Sequence, residues 1–301
     1  MTFANGKWYN TKIEIMDREE DSLVMNFDNV VMKARDNESV IDCKSFIEIF
    51  YSMSKAEFIA GDVTNDANNS KPKAAIIATD NLAFGGEEFV IRGGNSSSVD
   101  YNASPGIDCD NVIMVFARKI EVFGGNGGLG HTGDPGDPAE AYTGSNGAKG
   151  GTGGTGGEGA PAIIASGVGI FVRGSKVICH GGTGGQGGIG GKGGKGADGK
   201  DGKLGVSTID PGNGGTGGQG GKGGKGGVGA IFELEPAALP GEDEAFEFYV
   251  GDGGAGGHGG IGGQPGDPCE TIWGNPRTGS YGYLGDEGEK GDSGDAGYIF
   301  K

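Results

Sequence analysis

The chain has 301 residues, 71 of them glycine and 11 proline, with a formal charge of −17 and a pI near 4.5. Glycine normally supplies roughly 7% of residues, so the composition is that of a repeat, a linker or a collagen, and the shortage of proline removes collagen's stiffener. The acidic field opposes a nucleic-acid backbone and an anionic membrane alike. No stretch approaches the ~18 consecutive apolar residues of a membrane span, so neither nucleic acid nor membrane insertion is expected. The opening MTFANGKWYN has no basic n-region and no apolar h-region, and no secretory signal is read there. Cys43, Cys109, Cys179 and Cys269 are widely spaced with no C-x-x-C, which supports neither a zinc site nor a redox motif. They read as free thiols of a chain made in a reducing cytosol.

Residues 1–123 read as a β-rich base. KWYNTKIEIMD, SLVMNFDNVVMKA, SVIDCKSFIEIFYS, KAAIIATD and NVIMVFARKIEVF are rich in Val, Ile, Phe and Tyr, and several alternate. Turn-forming stretches such as GDVTNDANNSKPK and GGNSSSVDYNASPG separate them. Ala75-Ile76-Ile77-Ala78 recurs as Ala162-Ile163-Ile164-Ala165, a weak internal repeat. Strands then run repeatedly into a glycine pair, in EEFVIRGG (87–94), RKIEVFGG (118–125) and SKVICHGG (175–182), with EFYVGDGG (247–254) a looser copy. Phe89/Ile91, Ile120/Val122 and Val177/Cys179 are the inward positions this implies. Successive rungs of a β-solenoid would produce such a pattern; a sandwich is the alternative.

Between the rungs, glycine keeps a phase of three through six runs: 124–136, 144–159, 181–205, 212–227, 251–266 and 279–297. A flexible linker has no reason to keep phase. A left-handed helix with three residues per turn does, because glycine then lines one face. Many triplets are doubly glycine, as in GGTGGQGGIGGKGGKG, which admits close neighbours on two sides. The runs pair into three excursions, turning at 137–143, 206–211 and 267–278. At ~3.1 Å per residue, a run of 16 residues reaches roughly 50 Å. The run 279–297 has mostly one glycine per triplet and is expected at an edge.

These paired, in-phase GGX runs resemble the polyglycine II sandwich of the receptor-binding adhesins at the long-tail-fibre tips of T-even-like bacteriophages. They are also similar to the bundle of springtail antifreeze proteins. The resemblance covers about 124–297. It implies that the runs form polyglycine II helices. Together with the strand pattern, the expected fold is mainly β with non-α glycine helices: a β-solenoid-like or β-rich base (1–123), then a bundle (124–301) of six such helices in three hairpin excursions, with β rungs interleaved at 161–180 and 228–250. In the adhesins the distal loops contact the receptor. By position their equivalents here supply Asp137, Glu140, Tyr142, Thr208, Asp210, Glu270, Trp273, Asn275 and Arg277. Trp, Tyr and Arg are the residue types that anchor interfaces.

Other motifs carry less. G-x-G-x-x-G at Gly128–Gly133 is followed by Asp134-Pro135 rather than a helix, so it fails the context of a dinucleotide site. His131, His180 and His258 read as solvated surface side chains, and no catalytic residue is assigned. Asp286, Glu287, Glu289, Asp292 and Asp295 read as a solvated edge, with no metal or cofactor expected. Lys192, Lys195, Lys222 and Lys225 read as one solubilising stripe on the central hairpin.

The expectation is therefore a non-enzymatic adhesin. It would be made in the cytoplasm without a signal peptide and act outside the cell as part of a virion or secreted assembly. Its partners would be a host-cell surface receptor, glycan or outer-membrane protein, at the tips, and a fibre or assembly protein at the N-terminal base. An ice-binding protein and a structural or toxin component of a secreted assembly are the alternatives.

Overall fold

A computed structural model describes residues 1–300 apart from 16–22, 45–46, 65–72, 166–168, 202–206, 233–236, 239–245, 271–274, 291 and 293–297. The described chain is strand-rich, without an α-helix among the described residues, and its two large sheets are parallel.

The chain visits the two sheets in turn. One contains β1 (Thr2–Tyr9), β3 (Leu23–Lys33), β5 (Ile47–Ile59), β7 (Asn81–Arg92), β9 (Val112–Phe123), β11 (Gly169–Val172) and β14 (Ala237–Ala238), stacked in that order. β12 (Lys176–His180) and β15 (Phe246–Tyr249) continue it beyond β9. The other stacks β2 (Ile13–Ile15), β4 (Ile41–Cys43), β6 (Ile76–Ala78), β8 (Ile107–Cys109), β10 (Ile163–Ala165), β13 (Ala230–Phe232) and β18 (Tyr298–Phe300). Because stacking follows chain order, each circuit lays one strand of each sheet on the circuit before it.

The core lies between the sheets and is built from alternate residues. Phe27, Phe50, Phe58, Phe84 and Phe89 are fully buried and pack mostly edge-to-face, with centroids 5.0 to 6.5 Å apart. Beyond burial, such pairs each contribute about 0.5–1.5 kcal/mol. β5 carries one residue more than either neighbour just after Ser52, a bulge beside Asn29 and Gly86, whose φ values of +51° and +90° absorb the local bend. The rung alignment expected from sequence is present: Phe89, Ile120, Val177 and Phe246 are in register, as are Ile91, Val122, Cys179 and Phe248. Ile76 and Ile163 occupy equivalent places in β6 and β10, with β8 between them.

The glycine runs extend the sheets. Past β9 and β12, Gly127, Gly130, Gly133 and Gly136 donate to the carbonyls of Thr183, Gln186, Ile189 and Lys192, at 2.7 to 2.9 Å. Gly184, Gly187, Gly190 and Gly193 donate to Asp252, Ala255, His258 and Ile261. The first, third and fifth runs thus form one layer. The second, fourth and sixth form the other, through Gly150, Gly153 and Gly156 to Thr216, Gln219 and Lys222, and Gly214, Gly217 and Gly220 to Ser280, Tyr283 and Asp286. A second set of amides joins the layers, for example Gly185, Gly188 and Gly191 to Gly157, Gly154 and Gly151. The third and fourth runs bond to runs on every side. Among the described residues the sixth bonds to the fourth and fifth alone, and it lies at an edge.

Glycine is required both where the layers meet and between neighbouring runs within one layer. A Cβ on Gly190 would overlap the carbonyl of Gly218, and one on Gly221 the carbonyl of Gly154. The third residue of each triplet faces solvent, and this corrects one sequence expectation. Lys192 and Lys195 project from the layer of the third run, Lys222 and Lys225 from the opposite layer, so the four lysines do not form one stripe. Lys195 pairs with Asp198 and Asp267, whereas Lys222 pairs with Asp292 across the other face.

Candidate functional site at the far end of the glycine runs

The three turning points lie together, at the end of the runs remote from the sheets. In the first, Tyr142 takes φ +61°, is exposed, and donates its amide to the carbonyl of Asp198 at 3.0 Å. Asp137 starts this turn, and its carbonyl accepts the amide of Ala148 on the returning run. The hydroxyl of Thr143 donates to the carbonyl of Glu140 and accepts the amide of Ser145, which fixes the exposed loop between them.

The second turn closes as an antiparallel bridge between Lys200 and Ile209, leaving Thr208 half-buried and Asp210 exposed. The third pairs β16 (Cys269–Glu270) with β17 (Pro276–Arg277). Glu270 donates its amide to Asp201 Oδ1 at 3.0 Å, and the Cys269 thiol donates to the carbonyl of Ile209. Arg277 Nε stands 3.9 Å from Asp210 Oδ1, linking the second turn to the third. Asn275 is exposed beside it. Trp273 lies outside the described residues.

Sequence reasoning missed the residues that bind these turns to one another. Asp198 Oδ1 accepts the amide of Asp267 at 2.8 Å and the ammonium of Lys195 at 2.7 Å, and that ammonium also reaches Asp267 Oδ2 at 3.2 Å. The Lys195 hydrogen bond and then the Asp267 amide hold the Asp198 carboxyl below the usual aspartate range. Asp198 and Asp267 in turn raise Lys195. Burial, then the nearby charges of Asp210 and Asp201, push the Cys269 thiol up. The signal was an aspartate in the solvent-facing phase near the end of the third run and another just past the fifth, invisible until the runs are in register. The turns thus carry exposed side chains of mixed sign, Asp137, Glu140, Asp210, Glu270, Arg277 and the Tyr142 ring, with Arg277 facing Asp210.

The histidines are all engaged. His131 Nε2 lies 2.8 Å from Asp100 Oδ1, and Asp100 Oδ2 accepts from the Ser98 hydroxyl, so the carboxylate separates the hydroxyl from the imidazole. His180 stacks between Phe123 and Tyr249, with centroids 4.5 and 4.9 Å away, while Arg92 lies over the far face of Phe123. The sequence reading of His180 as a solvated side chain is corrected by this ladder, which exists because consecutive rungs place the four residues in register. His258 faces Glu287 at 3.7 Å. The G-x-G-x-x-G at 128–133 is a stretch of the first run, not the start of a helix. Among the described residues no group of three or more His, Cys, Asp or Glu side chains is disposed to hold a metal.

No protein-family model matches the chain, nor does any curated protein or solved structure.

Proposed function

We propose that this protein is a non-catalytic adhesin in which a β-solenoid base carries a stiff bundle of six polyglycine II helices whose clustered tips recognise a cell-surface glycan or outer-membrane protein. The helix assignment is supported by lateral amide–carbonyl bonds at every third residue of each run. The observation that carries the functional reading is the convergence of the turns. Three loops unlike one another in sequence are tied together through Tyr142–Asp198, Glu270–Asp201 and Arg277–Asp210, on runs that nearly repeat. Loops held by a rigid scaffold are where binding residues accumulate. The exposed strand β1 offers an edge through which a fibre or assembly protein could hold the base. In this reading the chain is made in the cytosol and acts outside the cell within a virion or secreted assembly.

The test is attachment of the whole chain to an array of bacterial surface glycans and purified outer-membrane proteins, with thermal melting as the folding control. Arg277→Ala and Tyr142→Ala are expected to weaken attachment by up to roughly thirtyfold, about 2 kcal/mol, at unchanged Tm. Lys192→Ala, on the flank, is expected to have little effect. Loss of attachment in the flank variant alone would move recognition to the side of the bundle, where the ice-binding and assembly readings place it.

A further inference from the structure

The lateral edges of the bundle carry side chains at positions that the inner runs keep as glycine. In the fourth run, a Cβ on Gly214, Gly217 or Gly220 would overlap the carbonyl of Gly263, Gly260 or Gly257 in the fifth. The bonds from the fourth run to the sixth set the equivalence between them, and the corresponding sixth-run residues are Tyr281, Leu284 and Glu287. A further run placed beside the fifth would press its carbonyls onto their Cβ atoms. Such a run would otherwise be welcome. The amides of Gly256, Gly259 and Gly262 have no hydrogen-bond partner among the described residues, although their third-run counterparts Gly187, Gly190 and Gly193 all donate to the fifth run.

The opposite edge obeys the same rule and contains its own control. A Cβ on Gly188, Gly191 or Gly194 of the third run would overlap the carbonyl of His131, Asp134 or Asp137. Those three residues occupy the corresponding positions in the first run. Nearer the sheets the first run still has glycine there, at Gly125 and Gly128, and the chain does lay an extended segment against it: Ser96 and Val99 donate to the carbonyls of Asn126 and Leu129. The segment turns away at Tyr101, beside His131, whose imidazole meets Asp100. Lateral packing therefore continues as far as glycine does and stops at the first side chain.

We propose that His131, Asp134 and Asp137 on one edge and Tyr281, Leu284 and Glu287 on the other are lateral stops that fix the bundle at six runs and prevent another glycine run from joining it. Unpaired backbone edges recruit further chains unless something stands in the way, and a chain with unsatisfied amides beside in-phase glycine is exposed to that hazard. The inference concerns assembly and is independent of what the tips bind.

The experiment uses the full chain and a synthetic peptide copying residues 181–195, at millimolar concentration, followed by amide exchange. The unaltered protein is expected not to bind. The variant Tyr281→Gly/Leu284→Gly/Glu287→Gly is expected to bind it, slowing exchange at Gly256, Gly259 and Gly262 by about tenfold or more. Protection at the inner amides of Gly187 and Gly190 shows whether this variant is folded. If it is not, His131→Gly/Asp134→Gly/Asp137→Gly decides from the other edge, read by protection of the peptide's own amides. Equal binding by the unaltered protein, or no binding by a folded variant, overturns the proposal.

Discussion

A Cβ added to Gly217 would overlap the carbonyl oxygen of Gly260, because the fourth and fifth runs meet backbone to backbone. The same residue donates its amide to Tyr283 at 2.9 Å, so it cannot retreat without breaking the bond to the sixth run. Overpacking of this kind commonly costs 1–3 kcal/mol. We expect Gly217→Val to lower Tm by about 2–5 °C, with Thr216→Val, one position away on the solvent face, changing it little. Calorimetry of the two variants checks this, and equal melting would mean that the runs do not touch.

Much of this architecture is legible in the sequence because glycine's phase is a direct statement about packing. The phase of three separates inward from outward residues, and the pairing of runs places 137–143, 206–211 and 267–278 together. Phe89, Ile120 and Val177 are readable as inward because each precedes a glycine pair by a fixed interval. What stayed hidden depends on register between segments nearly 60 residues or more apart. Phe123, His180 and Tyr249 stack, yet nothing local to His180 announces it. The lysines of the third and fourth runs look alike along the chain and emerge on opposite faces, since a hairpin that crosses between layers reverses which way is out. The clasp of Lys195, Asp198 and Asp267 is likewise a property of aligned runs.

Asparagine at solvent-facing positions does similar work within one layer. Asn146 Oδ1 accepts the amide of Asn213 at 2.9 Å, and Asn213 Oδ1 accepts the amide of Ser280 at 2.8 Å. The other layer repeats this with Asn95, Asn126 and Thr183. These amides face away from the bundle and are not reached by neighbouring backbone, so an aligned side-chain oxygen satisfies them. Asn213→Ala is expected to cost about 1 kcal/mol and to speed exchange at Ser280, whereas Asn213→Asp, which keeps the acceptor oxygen, should retain most of the protection. Exchange rates at Ser280 that do not distinguish the two variants would show that the ladder is not held in solution.

The thiols give a test of the base that needs no substitution. None of the four cysteines forms a disulfide, and all four are buried. Burial pushes the Cys109 thiol up to about 12, and its S–H donates to the carbonyl of Asp80 at 3.2 Å. Burial between the sheets raises Cys179 as well. Thiolate is the reactive form, so at pH 8 neither should react with a chromogenic disulfide reagent while the chain is folded, and both should react promptly in denaturant. Rapid native-state labelling at Cys109 or Cys179 would contradict the stacked sheets.

The clasp at the tip should respond to acid in a defined direction. Asp198 sits below the usual aspartate range because Lys195 and the Asp267 amide bind its ionised form. A carboxyl depressed by folding contributes stability above its unfolded value of ~3.9, and that contribution disappears as pH falls through the lower folded value. The backbone lattice of the runs has no titrating group, so the tip should loosen below about pH 4 while exchange protection at Gly187 and Gly190 persists. Carbon NMR of the Asp198 carboxyl should show a midpoint below ~3.9, and Lys195→Met should bring it back up. Asp198→Asn keeps an oxygen for the Asp267 amide but cannot titrate or pair with Lys195, so it should remove the part of the acid-induced loosening that depends on this carboxyl. A midpoint at or above the ordinary value in the unaltered protein would mean that Lys195, Asp198 and Asp267 are not joined in solution. The third turn would then be tied to its neighbours without this clasp, through Glu270–Asp201, Arg277–Asp210 and the backbone.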